Sequence, residues 1–343
     1  MKKIILALLF IFVFTSCASN DDAWSLSCGD TSLSPGSFYA QAVTYKNDFL
    51  QGYLGLTEDS ASIWTQDSPS GGNESVADSL MRMVVEDMTQ FVWVVEYAKD
   101  NGAVVTEEEK ESLQKDFEEM KSGFTDNEAF LEYIGKLNVT EEELHAHLNE
   151  TLYYDKGFEM LTSEGGLYAV SDEDLLEYYK NNFYTVKHVF FNDVTSTDEE
   201  GNTVTLTEEG KAEKLEKAKK VIADLDEGIP FETLYMLSED GASTSFPDGM
   251  TFAQGFTSDA SYEEEVMALD IGEYKLIIPD NGGVYVVKRM PVDEGAFEEY
   301  YDYVYSAVCQ EITEKIYSDH KNEVTVNYDL INTFDIKAMP VLN

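Results

Sequence analysis

The chain has 343 residues, 43% hydrophobic and 13% aromatic, which is enough for two ordinary domains with packed cores and too apolar for a disordered acidic tail. Its 67 acidic residues against 23 basic ones give a formal charge of −44. So negative a surface repels nucleic acid and anionic headgroups, which excludes nucleic-acid binding.

At the N-terminus, Lys2 and Lys3 precede the apolar run Ile4–Phe14, too short to span a bilayer but suited to a secretory signal. Cys17 follows directly on the small residues Thr15 and Ser16. This arrangement resembles a bacterial lipoprotein lipobox, in which the cysteine is diacylated and becomes the first mature residue. The resemblance implies a signal peptide over 1–16 and lipidation at Cys17. It also implies an extracytoplasmic protein anchored to the bacterial cell membrane by two acyl chains, without a membrane-spanning helix. A polar tether is expected over 17–37, ending at Pro35 and Gly36.

From Phe38 the pattern is helical. In "SVADSLMRMVVEDMTQFVWVVEYAKDNG", Leu80, Val84, Met88, Phe91, Val95 and Ala98 recur every three or four residues, and Asn101-Gly102 closes the helix. Thr106 with Glu109, and Thr140 with Glu143, read as capping boxes; Thr125 is expected to open the helix between them. Another short helix is predicted from Ser171. His145 and His147 are two apart on one of these helices, face different directions, and are expected at the surface rather than on a metal. No metal-ligand spacing occurs. Cys28 and Cys309 carry no spacing signature, and two separate thiols are expected.

At Tyr184 the period changes from helical to alternating. "YTVKHVFF" reads as a strand with His188 set among Val186, Val189, Phe190 and Phe191. A polar loop, a long charged helix stopped by Gly228, and a short helix opened by Pro230 follow. Beyond the loop "EDGASTSFPDG" come the segment "MTFAQGF", the helix "SYEEEVMALD" and the strands "GEYKLIIPD" and "GVYVVKRM". The Asn-Gly-Gly turn between those strands is a hairpin signal. A last helix begins near Phe297, with His320 near its C-terminal end, and "VTVNYDLINTF" is expected to be extended.

The ordered motifs of 184–290 resemble the parvulin family of peptidyl-prolyl isomerases. "VKHVFF" is similar to its first strand, "KAKKVIADLDEGIPFETLYMLSED" to its lysine-rich helix and the segment after it, and "PDGMTFAQGF" to its glycine-phenylalanine loop. "SYEEEVMALDIGEY" is similar to its next helix and turn, and "GGVYVVKRM" to its closing strand. With the lipobox and the flanking helices, the whole chain resembles extracytoplasmic foldase lipoproteins of the PrsA kind and, more loosely, SurA-type chaperones.

The resemblance implies an α+β protein: a helical chaperone-like domain over 38–183, a parvulin-like domain over 184–292 with a four-stranded antiparallel sheet flanked by helices, and a returning helix and tail over 293–343. It implies catalytic roles for His188, Asp240 and Tyr285. It implies substrate contacts for Met250, Phe252, Phe256 and Tyr262, with Phe252 lining the proline pocket. The family's second histidine falls on Tyr285, and a frequent hydroxyl position falls on Gly282. The implied partners are unfolded or newly exported proteins, and a homodimer is left open.

X–Pro isomerisation needs no cofactor, metal or nucleophile. It needs a grip on the proline ring and surroundings that favour the twisted amide, against a barrier of roughly 18–20 kcal/mol. A neutral His188, oriented by Asp240 or Tyr285, supplies a polar floor in this reading. With Tyr285 in place of an imidazole, the alternative is a holdase chaperone whose parvulin unit is vestigial.

Overall fold

The computed structural model describes residues 24–69, 71, 73–197, 202–257 and 259–342; Cys17 and the expected signal peptide lie outside them. Strands β1 (Leu26–Cys28) and β2 (Thr31–Leu33) precede helices α1 (Pro35–Asn47), α2 (Val76–Asp100), α3 (Glu107–Ser122), α4 (Asn127–Lys136), α5 (Glu141–Thr162) and α6 (Asp172–Asn182). Strands β3 (Phe183–Phe191), β4 (Thr195–Thr197) and β5 (Thr203–Thr205) lead to α7 (Glu208–Asp226), α8 (Phe231–Tyr235) and α9 (Ala242–Ser245). Then come β6 (Met250–Ala253), α10 (Ala260–Met267), β7 (Tyr274–Ile277), β8 (Val284–Met290), α11 (Phe297–His320), β9 (Thr325–Val326) and α12 (Tyr328–Ile331). No helix among the described residues is long and apolar enough to cross a membrane.

Two compact units result, one holding the chain up to Val170 and from Cys309 onward, the other Ser171–Val308. In the first, α2 buries Leu80, Val84, Met88, Phe91, Val95 and Ala98, as its spacing predicts. Thr106 and Thr140 form capping boxes with Glu109 and Glu143. The cap of α4 is Asp126, one residue after the expected Thr125, because its carboxylate accepts from Ala129 N.

The segment expected as a tether is structured from Trp24. Leu26 and Leu33 are fully buried, and β1 pairs with both β2 and β9, so burial and a sheet hold what composition alone marks as linker. Glu96 caps the hairpin turn, accepting from Asp30 N at 2.9 Å and Thr31 Oγ1 at 2.7 Å. Gly29, at the turn, has φ +53°, and a Cβ there would meet Glu96 Oε1 at 1.8 Å.

The C-terminal segment is not extended either. Two residues pair in the sheet, then Asn327 caps α12 by accepting from Leu330 N. Buried Lys46 donates to Met339 O at 2.7 Å and pairs with Asp59 at 2.5 Å. His320 stacks on Trp93 with ring centroids 3.7 Å apart. His147, expected at the surface, is 1% exposed, its ring beside Phe91 on α2. Cys28 and Cys309 form no disulfide.

In the second unit the sheet has the order β6-β3-β8-β7, antiparallel throughout. Strand alternation divides β3 between two cores. Val189 and Phe191 pack with Ala218, Val221, Phe231 and Leu234 from α7 and α8. Val186 packs with Phe252, Tyr262, Val266 and Val287 on the α10 side. The unit starts and ends further out than 184–292. Buried Tyr179 on α6 packs its ring on Phe183 and Phe297, and its hydroxyl donates to Asp293 O at 2.8 Å. These aromatic contacts draw α6 and the first turns of α11 into this unit.

Candidate functional site

His188 shares the α10-facing side of β3 with Val186 and sits opposite Val287 of β8. Its ring is 7% exposed, and Nε2 lies 2.7 Å from Asp240 Oδ2. Asp240 is the last residue of "SED", in the loop between α8 and α9. That loop is stitched to β3: Phe190 N donates to Ser238 Oγ at 2.9 Å, and Glu239 N donates to Phe190 O at 2.9 Å. Gly241, with φ +73°, then turns the chain so that Ala242 N donates to Asp240 Oδ1 at 3.0 Å.

Burial alone would raise the Asp240 carboxyl. The hydrogen bonds from His188, Ser238 and Ala242 N outweigh it and hold the group well below the usual carboxylate range. The ionised carboxylate therefore accepts a hydrogen bond from His188 Nε2–H, and in the neutral ring Nδ1 is then an acceptor. Nδ1 is buried and has no hydrogen-bond partner among the described residues.

Tyr285, from β8, meets His188 by its ring edge, with centroids 5.4 Å apart at 74°, and no hydrogen bond joins them. Of the two expected orienting groups, Asp240 holds the imidazole. Burial, then the carboxylates Asp240, Asp259 and Asp193, pushes the Tyr285 phenol up. Tyr262, from the first turn of α10, packs on Tyr285 at 5.1 Å and on Phe252 at 6.4 Å. Its hydroxyl is buried without a hydrogen-bond partner.

An open groove of about 480 Å³, of ordinary ligand-site size, is lined by His188, Asp240, Met250, Tyr262 and Tyr285. Five of the seven residues expected around the catalytic site thus come together. Phe252 does not line the groove; it lies beneath, 3% exposed, between Tyr184 and Tyr262. Phe256 turns away to stack edge-on against Tyr303 at 4.9 Å, because the loop before α10 carries it toward the aromatic cluster of Phe183 and Tyr300. Cys17 lies outside the described residues.

Two carboxylates escaped the sequence reading. Asp259 caps α10, accepting from Ser261 N and Tyr262 N, and also accepts from Asn281 N at 3.0 Å. An aspartate just before a helix was a legible cap, but its bond to a residue 22 positions on was not. Asp193 accepts from Gly283 N at 2.6 Å across 90 positions, for which no local signal exists. A second groove of about 510 Å³ lies between α10 and β7, lined by Glu264, Glu265, Leu276 and Ile278, and holds none of the expected residues. No group of three His, Cys, Asp or Glu among the described residues is arranged to hold a metal ion.

No family model and no curated protein matches the chain. Among solved structures it is similar to the peptidylprolyl isomerase PrsA of Bacillus cereus, at 20% identity and TM-score 0.35, over 80% of this chain and 97% of that one. It is similar to PrsA of Bacillus anthracis at 18% identity and TM-score 0.29, over 73% and 100% of the two chains. For PrsA of Bacillus subtilis the values are 17% and 0.26, over 78% and 96%. Likenesses this distant carry no weight in assigning chemistry, which rests on the His188 site itself.

Proposed function

We propose that Ser171–Val308 is a parvulin-type peptidyl-prolyl cis-trans isomerase acting on X–Pro bonds of unfolded, exported proteins. The whole chain is then an extracytoplasmic foldase, anchored through Cys17, whose helical unit holds client segments. The observation that carries this reading is the buried His188–Asp240 pair on the floor of an open groove with Met250, Tyr262 and Tyr285 around it.

The chemistry follows from the amide. Planarity is maintained by a dipolar resonance form, which water stabilises and an apolar wall does not. Moving the bond out of water against Met250 and the tyrosine rings therefore favours the twisted state, in which that resonance is lost. His188, held in one orientation by ionised Asp240, gives the groove a fixed polar floor while the amide twists. No bond is made or broken.

A holdase without isomerase activity is the second reading. It is favoured by Tyr285, which touches His188 without hydrogen-bonding to it. The test is the isomerisation rate of a short X–Pro peptide with the purified full chain, beside suppression of aggregation of an unfolded client. A rate above background that His188→Ala abolishes supports the enzyme. Suppressed aggregation with no such rate supports the holdase.

A further inference from the structure

The groove carries a one-sided charge pattern. Asp240 and Asp259 line it, and among the described residues no lysine or arginine does. Asp193 joins them at the edge, bound to Gly283 N. Asp193 and Asp259 are bonded to Gly283 N and Asn281 N in the turn that leads to Tyr285, and Asp240 is bonded to His188, whose ring Tyr285 touches. Asp259 is held below the usual carboxylate range, first by the Ser261 hydroxyl, so it is ionised. The hydrogen bonds to Asp193 and Asp259 come from backbone N–H groups and one hydroxyl, all neutral, so neither charge is cancelled. Lys211 lies within electrostatic reach of Asp193, but its ammonium is bound to Glu208 at 2.8 Å.

A second feature of the same groove points to a ligand. Tyr262 is 5% exposed, and its hydroxyl, the only polar atom of the side chain, has no hydrogen-bond partner among the described residues. A buried hydroxyl left unpaired is unfavourable, and a peptide carbonyl entering the groove would relieve it.

We infer that the groove selects X–Pro segments by charge: a lysine or arginine beside the proline is preferred, anionic and phosphorylated residues are excluded, and the Tyr262 hydroxyl donates to a backbone carbonyl of the bound segment. This rests on the isomerase reading of the same site. Long cationic side chains reach a carboxylate at the groove edge while the proline lies on the tyrosines. An anion there meets three like charges, and no cationic side chain among the described residues lines the groove.

The test uses the purified full chain and four otherwise identical peptides with Lys, Ala, Glu or phosphoserine before proline. Both kcat/KM and binding affinity are measured, and Asp193→Asn, Asp259→Asn and Tyr262→Phe are compared. Asparagine keeps the oxygen that accepts from Gly283 N at position 193 and the helix-capping oxygen at position 259, where the bond from Asn281 N is lost with the charge; thermal melting of Asp259→Asn checks that the fold survives. The expected order is Lys, Ala, Glu, phosphoserine. The Lys-to-Glu ratio should fall about five- to sixfold per carboxylate removed, the product of a two- to threefold attraction lost for Lys and a two- to threefold repulsion lost for Glu across roughly 8 Å in water-like surroundings. Tyr262→Phe should weaken all four peptides severalfold and leave their order intact.

A Lys-to-Glu ratio near one, or one unchanged in both asparagine variants, overturns the charge selection; in the latter case the overall charge of the chain sets it. Unchanged affinity in Tyr262→Phe overturns the carbonyl contact. If no peptide isomerises, the isomerase reading fails, and the affinity order by itself decides the charge selection.

Discussion

His188 Nε2 lies 2.7 Å from Asp240 Oδ2, although the two residues are 52 positions apart and neither belongs to the other's element. The distance is fixed by backbone as well as side chain. Phe190 N and Phe190 O both bond to the Ser238–Glu239 segment, one residue before the aspartate. The imidazole is therefore oriented before any substrate arrives, which is the condition for an electrostatic contribution to catalysis.

The first prediction concerns that pair. Asp240→Asn should lower the isomerisation rate on the order of tenfold, the weight of one charge-assisted hydrogen bond, with a smaller effect on melting. His188→Ala should lower it at least as much. Peptide isomerisation and thermal melting of each variant check this; an unchanged rate in both removes the pair from the mechanism.

Tyr285→His tests what the missing imidazole costs. The ring already touches His188 by its edge, so a histidine there faces the same partner. A severalfold gain in rate is expected, without loss of fold. No gain would mean that a second imidazole is not what limits this site.

Gly283 should resist substitution. Its φ is +92°, and a Cβ would sit 2.5 Å from Phe190 Cε2 and 2.9 Å from Tyr285 Cε2. Gly283→Ala should destabilise the sheet unit by about 1–3 kcal/mol and reshape the groove wall. Denaturant unfolding measures the first effect and peptide affinity the second.

The helical unit should gain stability as pH falls from neutral. Burial raises the Asp87 carboxyl, which accepts from the Tyr45 hydroxyl, from 3.8 to about 6. The folded state thus penalises the ionised form; the penalty is absent below about pH 3.8 and complete above about pH 6. The wild type should melt higher at pH 5 than at pH 7, and Asp87→Asn should remove part of that difference. Equal pH dependence in both proteins would rule Asp87 out as a cause.

Lys46 is fully buried beneath Trp64 and holds the C-terminal segment through Met339 O. Lys46→Ala leaves that carbonyl and Asp59 without their cation, at a cost of roughly 2–3 kcal/mol since Asp59 keeps some contact with water. Faster proteolysis after residue 335 and a lower melting temperature would confirm it.

The sequence by itself determined what short-range forces encode. Alternation placed His188 on one face of a strand, Thr106 with Glu109 and Thr140 with Glu143 marked helix starts, and Asn-Gly-Gly marked the hairpin that presents Tyr285. Motif order then pointed to His188, Asp240 and Tyr262 together. Tertiary structure decided what depends on partners distant in sequence. It buried His147, turned the supposed tether into a strand paired with β9, and moved Phe256 to Tyr303 and away from the groove. It also brought Asp193 to Gly283 and Asp259 to Asn281, which ring the groove with negative charge. A residue's periodicity fixes the side of its own element on which it lies. Which surface meets that side is set by the free energy of packing the whole chain, and no local window contains that quantity.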